Sequence, residues 1–247
     1  MIRVRVTRAR GSTPREAGAT MIVAAETTQG TIGGGQLEYM AIDRARQMLA
    51  RGEDAAIMDV PLGPEIGQCC GGRVELSLDR ITALPRAPDH PQVLIFGAGH
   101  VGRALARALR LLPLRPILID QRAEELALAC GETRLTPLPE AEIRDAPGGT
   151  SYLILTHDHA LDFLLAAEAL RRPDAPYIGM IGSATKCTQF QRFARTQGIA
   201  YDRLTCPIGA GHSRDKRPEI IAAFTAAELI ARLTQPISSM KKYPCDS

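Results

Sequence analysis

The chain contains no tryptophan, and aromatic residues make up only 4% of its 247 residues. Binders of single-stranded nucleic acid stack bases on such rings, so that class of protein is not expected. Charge of either sign is not in excess, with 30 Lys and Arg against 27 Asp and Glu, whereas nucleic-acid-binding domains are usually strongly basic. No cationic leader opens the sequence, and no apolar run approaches the length of a membrane span. These absences predict a cytoplasmic globular protein without a nucleic-acid or membrane partner.

The six cysteines include no Cys-x-x-Cys pair, so the sequence does not predict a zinc site. Their irregular spacing, with no leader, indicates reduced thiols. Cys69 and Cys70 are adjacent, within Gly67–Gly72. Neighbouring Cα atoms lie about 3.8 Å apart, less than the roughly 4.4 Å that a disulfide needs. The pair therefore indicates a thiolate or redox site, and a small buried turn is the alternative interpretation.

The first 84 residues predict a small α+β domain. Alternating apolar residues indicate strands at 2–6, 19–25 and 74–78, and Gly33-Gly34-Gly35 precedes a helix that runs from about Leu37 to Gly52. A proline-rich stretch over 85–91 is the predicted linker. Residues 92–235 form the second predicted domain, and residues 236–247 a mobile tail.

The second domain alternates apolar runs with helical periodicity, which predicts a Rossmann-like, doubly wound parallel sheet with helices on both faces. The predicted strands are Val93–Phe96, Ile117–Ile119, Tyr152–Leu155 and Ile178–Ile181, and the last helix runs from Pro218 to about Leu233.

A glycine fingerprint follows the first of these strands. Gly97, Gly99 and Gly102 fit G-x-G-x-x-G, His100 lies between them, and Asp120 ends the next strand 18 residues beyond Gly102. This order of strand, glycine loop, helix and acid is typical of dinucleotide-binding folds. The loop and the helix start suit a phosphate.

Two further strand ends point to the same crevice, because ligands bind outside the carboxyl ends of a parallel sheet. His157 and His159 follow one strand, as ligand contacts or as polar helix caps. Gly182, Ser183 and Lys186 follow another, and Cys187 beside them is either a thiol of lowered pKa or a packed one.

A third glycine segment, Cys206–His212, leads into the basic residues Arg214, Lys216 and Arg217. A charge run of this kind is usually a solvated face, and an anion-contacting loop is the alternative. Cys130 and Cys245 have no neighbours that suggest chemistry.

These motifs occur in one order along the chain: Gly11–Arg15, Gly30–Glu38, Gly67–Gly72, Gly97–Gly102, Thr156–His159 and Gly179–Ser183. The set resembles the XdhC/CoxI family of xanthine dehydrogenase accessory proteins over nearly the whole chain. The resemblance implies a molybdenum cofactor chaperone rather than an enzyme. Such a protein holds the cofactor while a cysteine desulfurase installs its sulfido ligand, and then inserts it into a xanthine dehydrogenase-type molybdenum hydroxylase. A second copy of this chain, forming a homodimer, is a further partner compatible with the sequence.

The resemblance and the glycine loops together predict a set of cofactor-binding residues and no catalytic residue. Cys70 is favoured over Cys69 as the molybdenum or sulfur contact, because two glycines follow it. The predicted residues are Gly33, Gly34, Gly35, Gln68, Cys69, Cys70, Gly97, Gly99, His100, Gly102, His157, Gly182, Ser183 and Lys186.

Two other functions use parts of the same pattern. An NAD(P)-dependent oxidoreductase would use the glycine fingerprint and Asp120, but would leave the paired cysteines without a role. A redox-sensing regulator would use the cysteines as a switch, but the sequence contains no module that reads DNA.

Overall fold

The computed structural model describes residues 1–63, 71–85, 90–210, 213 and 215–234. The chain divides into two compact units, Met1–Ala87 and Pro88–Ser247. Among the described residues, no helix has both the length and the apolar character needed to span a membrane.

The first unit is a five-stranded antiparallel sheet packed on one helix. Its elements are β1 (Ile2–Arg10), β2 (Thr20–Val23), β3 (Thr28–Gly30), α1 (Gly35–Arg51), β4 (Ala55–Leu62) and β5 (Gly72–Arg80), in the sheet order β3-β2-β1-β5-β4. Every second residue is buried over 2–6 of β1 and 74–78 of β5, and these residues, such as Val4 and Leu76, pack with the apolar stripe of α1 that includes Leu37. Gly52 ends α1 in the left-handed conformation, as the sequence predicts.

The second unit is a six-stranded parallel sheet. It contains β6 (Gln92–Phe96), α2 (His100–Leu109), β7 (Arg115–Asp120), α3 (Ala123–Ala127), β8 (Glu132–Leu135), α4 (Pro139–Arg144), β9 (Ser151–Ile154), α5 (His159–Leu170), β10 (Ile178–Met180), α6 (Ala184–Thr196), β11 (Leu204–Thr205) and α7 (Pro218–Thr234). The strand order is β11-β10-β9-β6-β7-β8, which is the order of a Rossmann fold.

Helices cover both faces of this sheet, so its central strands are buried on both sides. Val93 and Ile95 of β6 pack with α2 and α7, whereas Leu94 and Phe96 of the same strand pack with α4, α5 and α6. The predicted fold class, an α+β unit followed by a doubly wound parallel sheet, is confirmed.

The sequence interpretation missed several elements at the edges of the sheets. β4 is the clearest case, because its eight residues include two alanines, a proline and an outward-facing isoleucine that is 75% exposed. An edge strand needs one buried face only and tolerates a proline. The short strands β3, β8 and β11 are also outermost or nearly so and carry little apolar character.

Cys187 and Cys206 form a disulfide, with 5.8 Å between their Cα atoms. The expectation of reduced thiols is therefore wrong for these two residues, and neither alternative for Cys187 holds. The pairing follows from the sheet, because β10 and β11 are parallel neighbours. Cys187 lies in the first turn of the helix after β10, and Cys206 directly follows β11. Cys130 is a free, exposed thiol.

We expect the double variant Cys187→Ser/Cys206→Ser to lose about 3 kcal/mol of unfolding free energy, because the disulfide closes a chain segment with a sequence separation of 19 residues. Urea unfolding of the oxidised protein measures this loss, and Cys130→Ser is the matched control. Recovery of Cys187 and Cys206 as free thiols after non-reducing peptide mapping would contradict the pairing.

Candidate functional site

A crevice lies at the carboxyl ends of β6, β7 and β9. Strand β6 pairs with β7 along one of its edges and with β9 along the other. The strand order reverses between β6 and β9, and this is where open α/β sheets bind ligands. The residues that line the crevice are Phe96, Gly97, Ile119, Asp120, Gln121, Pro139, Thr156, His157 and Leu161.

The three glycines of the fingerprint have different roles. A Cβ on Gly97 would lie 2.2 Å from the carbonyl oxygen of Leu155, and one on Gly102 would lie 1.9 Å from that of Gly97. The fold itself therefore requires these two glycines. A Cβ on Gly99 would meet no atom of the described residues within 4 Å, its two chain neighbours aside, and its φ of −64° suits any residue. Packing gives no reason for glycine at this position.

Gly99 is the N-cap of α2, and no described side chain caps that helix. His100 is the first helical residue and is exposed. The first N–H groups of a helix have no partners within the helix and carry its positive end. Gly99 and His100 thus lie at the end of α2 that favours an anion, as the sequence predicts.

Asp120 is buried at the edge of the crevice and accepts four hydrogen bonds. Its Oδ1 accepts from the backbone N–H and Nε of Arg122, each at 3.0 Å. Its Oδ2 accepts from the Ala98 N–H at 2.6 Å and from Nη2 of Arg122 at 3.0 Å. Burial raises the pKa of Asp120, but the hydrogen bonds from Arg122 and Ala98 outweigh it and hold that pKa below its usual value.

A network of charged side chains extends from this carboxylate. Arg122 lies 3.7 Å from Glu125, and Glu125 is also bonded to Arg103. Arg103 in turn donates to the carbonyl oxygen of Ala98 at 2.6 Å. Both backbone polar groups of Ala98 are therefore held by this network, which fixes the glycine loop without a ligand. The sequence interpretation missed Arg122, although its place two residues after the strand-ending acid was a usable signal.

His157 is exposed and lines the crevice. The residue that caps α5 is Asp158, whose side chain accepts from the N–H groups of Ala160 and Leu161. His159 is the first residue of α5 and is exposed. The capping interpretation named the two histidines, whereas the aspartate between them is the residue that caps α5.

The residues that line this crevice include Gly97 and His157 but not Gly99, His100, Gly102, Gly182, Ser183 or Lys186. Ser183 caps α6 by accepting from the N–H of Lys186 at 3.3 Å. The Lys186 ammonium is buried and paired with the Asp162 carboxylate, which also accepts from the N–H and hydroxyl of Thr156. Lys186 thus joins α6 to α5 and to the end of β9.

Described residues from three glycine motifs of the first unit lie close to the turn at 11–15. The Gly71 N–H donates to the Leu62 carbonyl oxygen at 2.7 Å and closes the hairpin base. A Cβ on Gly72 would lie 2.2 Å from the Ser12 carbonyl oxygen. A Cβ on Gly33 would lie 2.6 Å from Cγ of Pro14. Residues 11–15 therefore contact both Gly33 and Gly72.

The segment with the triple glycine donates hydrogen bonds to a carboxylate of the helix that follows it. Gly33, Gly34 and Gly35 all have positive φ, and Glu38 accepts from the Thr31 hydroxyl at 2.6 Å and from the Ile32 N–H at 2.8 Å. Partial burial raises the pKa of Glu38, but these hydrogen bonds and those from the N–H groups of Gly34 and Gly33 lower it overall.

Gln68, Cys69 and Cys70 lie outside the described residues, as do Arg214, His212 and Cys245. The hairpin base places the chain on both sides of 64–70, since Leu62 is paired with Gly72. Within the part of the chain that the structure describes, no three His, Cys, Asp or Glu side chains group as metal ligands.

The fold and the crevice define a two-unit protein with a Rossmann-type domain. Comparison with family models is specific: residues 93–229 match the XdhC Rossmann domain, and residues 1–60 match the XdhC and CoxI family. The chain belongs to the XdhC and CoxI family.

Two similar proteins illustrate how far this likeness extends. The uncharacterized protein YqeB of Escherichia coli K12 is 26% identical over 245 residues, which is 94% of this chain and 44% of YqeB. A crystal structure described as a xanthine dehydrogenase from Bacillus halodurans has a TM-score of 0.80 and 17% identity, and covers 97% of this chain and 94% of its own. This second likeness concerns the fold alone.

The different roles of the glycines can be tested with one substitution at two positions. We expect Gly99→Ala to change the unfolding free energy by less than about 0.5 kcal/mol. Gly102→Ala should cost at least about 2 kcal/mol, because its Cβ would overlap the Gly97 carbonyl oxygen. Chemical denaturation of both variants measures the difference. Equal stability of the two variants would contradict the distinction.

Proposed function

We propose that this protein is a molybdenum cofactor chaperone that binds the cofactor as cargo and delivers it to a molybdenum hydroxylase of the xanthine dehydrogenase type. Membership of the XdhC and CoxI family supports an accessory role. A cysteine desulfurase is the proposed source of the sulfido ligand. The protein itself would carry out no catalytic turnover.

The observation that carries the proposal is the fixed position of Gly71 and Gly72, which directly follow the paired cysteines in the chain. The bond from Gly71 to Leu62 and the packing of Gly72 on Ser12 fix the chain next to Cys70. Soft thiolates suit molybdenum and sulfur transfer. Cys70 directly precedes Gly71 in the sequence, and its thiol is the proposed contact to the molybdenum or to the sulfur.

The crevice of the second unit supplies the other half of the proposal. Molybdenum cofactor bears a phosphate, and the uncapped start of α2 favours an anion. The space above Gly99 would admit that group close to the backbone. Gly97, Gly99, His100, Gly102 and His157 are the proposed contacts in this unit.

Reconstitution tests this function directly. We expect a cofactor-free hydroxylase to gain activity only when molybdenum cofactor, a cysteine desulfurase with cysteine, and this protein are all present. Mass spectrometry of the ligand retained from molybdate-replete cells should identify a pterin. Full activation without the protein, or steady NAD(P)-linked oxidation of a small substrate by the protein alone, would overturn the proposal.

Variants separate the two proposed contact regions. We expect Cys69→Ala/Cys70→Ala to lose cofactor retention or sulfuration while its stability stays within about 1 kcal/mol of the wild type. Gly99→Val should fold normally and retain at least about tenfold less pterin, because a side chain there blocks approach to the backbone. Cys130→Ala, which removes an exposed thiol, is the control. Unchanged retention in the cysteine variant would remove the thiols from the proposal.

A further inference from the structure

The carboxylate that would recognise a ribose in this crevice has no free acceptor position. A carboxylate has about four lone-pair positions, two on each oxygen. The backbone N–H and Nε of Arg122 fill those of Oδ1, and the Ala98 N–H and Nη2 of Arg122 fill those of Oδ2. Asp120 is 7% exposed, so water does not compete for these positions.

Asp120 occupies the position of the ribose-binding acid of a Rossmann fold. In dinucleotide-binding Rossmann folds, an acid at this strand end accepts hydrogen bonds from the ribose hydroxyls. Asp120 ends β7 and lines the crevice. Ribose hydroxyls could bond to it only by displacing Arg122, and a buried carboxylate would then lose hydrogen bonds to a charged donor.

Arg122 is also held in place from its other side. Its guanidinium lies 3.7 Å from Glu125, which is bonded to Arg103 as well. The side chain of Arg122 is 30% exposed, against 4% for that of Asp120. The arginine therefore covers the carboxylate and is anchored between two acids, so moving it would disturb two ion pairs.

We propose that the Asp120–Arg122 pair is a specificity determinant that closes the ribose subsite of the crevice. The crevice then selects a phosphate-bearing ligand without a ribose diol, such as a pterin monophosphate, over nicotinamide and other dinucleotides. The identity of the pterin rests on the proposed function. The exclusion of ribose rests on the geometry of the pair alone.

The test is a gain of binding. Removing the guanidinium in Arg122→Met frees one acceptor position on each oxygen of Asp120, which is the number that a ribose diol needs. We expect Arg122→Met to bind NADH at least about tenfold more tightly than the wild type, by NADH fluorescence titration. The double variant Asp120→Asn/Arg122→Met should lose that gain, because an amide offers one oxygen in place of two.

The control is Arg115→Met at the opposite end of the same strand. Arg115 also pairs with a carboxylate, that of Glu132, through two hydrogen bonds, so its removal should leave NADH binding unchanged. If Arg122→Met proves too unstable, Arg122→Lys serves instead, since an ammonium cannot fill both positions with the fork geometry of a guanidinium. It should show a smaller gain in the same direction.

The proposal would be overturned if the wild-type protein bound NADH as tightly as Arg122→Met and Arg122→Lys do. These titrations use NADH and folded protein without cargo. Failure of the reconstitution experiment, with a gain of NADH binding in Arg122→Met, would instead reject the chaperone function and leave the closed ribose subsite standing.

Discussion

The glycine loop of the second unit keeps its shape because both backbone polar groups of Ala98 are bonded to charged side chains. The N–H is held by Asp120 and the carbonyl oxygen by Arg103. These two residues come from the end of β7 and the first turns of α2, so the loop is fixed to the strand and to the helix that it connects. The start of α2, the open space above Gly99 and the edge of the crevice all depend on this arrangement. A site that is already ordered avoids the entropic cost of ordering a loop on binding.

In the first unit, different contacts fix the glycine segments. Its triple glycine wraps around the Glu38 carboxylate, and its hairpin base packs on Ser12. An internal carboxylate thus satisfies N–H groups that would otherwise be free to bind an anion. In the proposed function, the first unit supplies the thiols and the second unit the contacts to the phosphate.

Sequence patterns predicted the strands that are buried on both faces. In the candidate site they predicted the glycines that backbone contacts require, but not the partners of the side chains. Val93–Phe96 is recognisable because a strand covered on both faces is apolar throughout. β4 is an edge strand with one buried face, so its sequence carried no clear signal. The glycine fingerprint was readable because the close approach of Gly97 and Gly102 to backbone atoms demands that residue type. Side-chain partners were not readable: Lys186 meets Asp162, and Cys187 meets Cys206, only because neighbouring strands bring distant segments together.

The open position at Gly99 also has an evolutionary consequence. Folding constrains Gly97 and Gly102, so every homologue that keeps this fold should keep them, whether or not it binds a ligand. The described part of the fold places no such demand on Gly99, where a Cβ would meet no atom within 4 Å beyond its chain neighbours. In a lineage that had lost its ligand, this position would drift to other residues while its two neighbours stayed unchanged. Under the proposed function, glycine at this middle position is therefore expected in those members of the family that bind the cofactor.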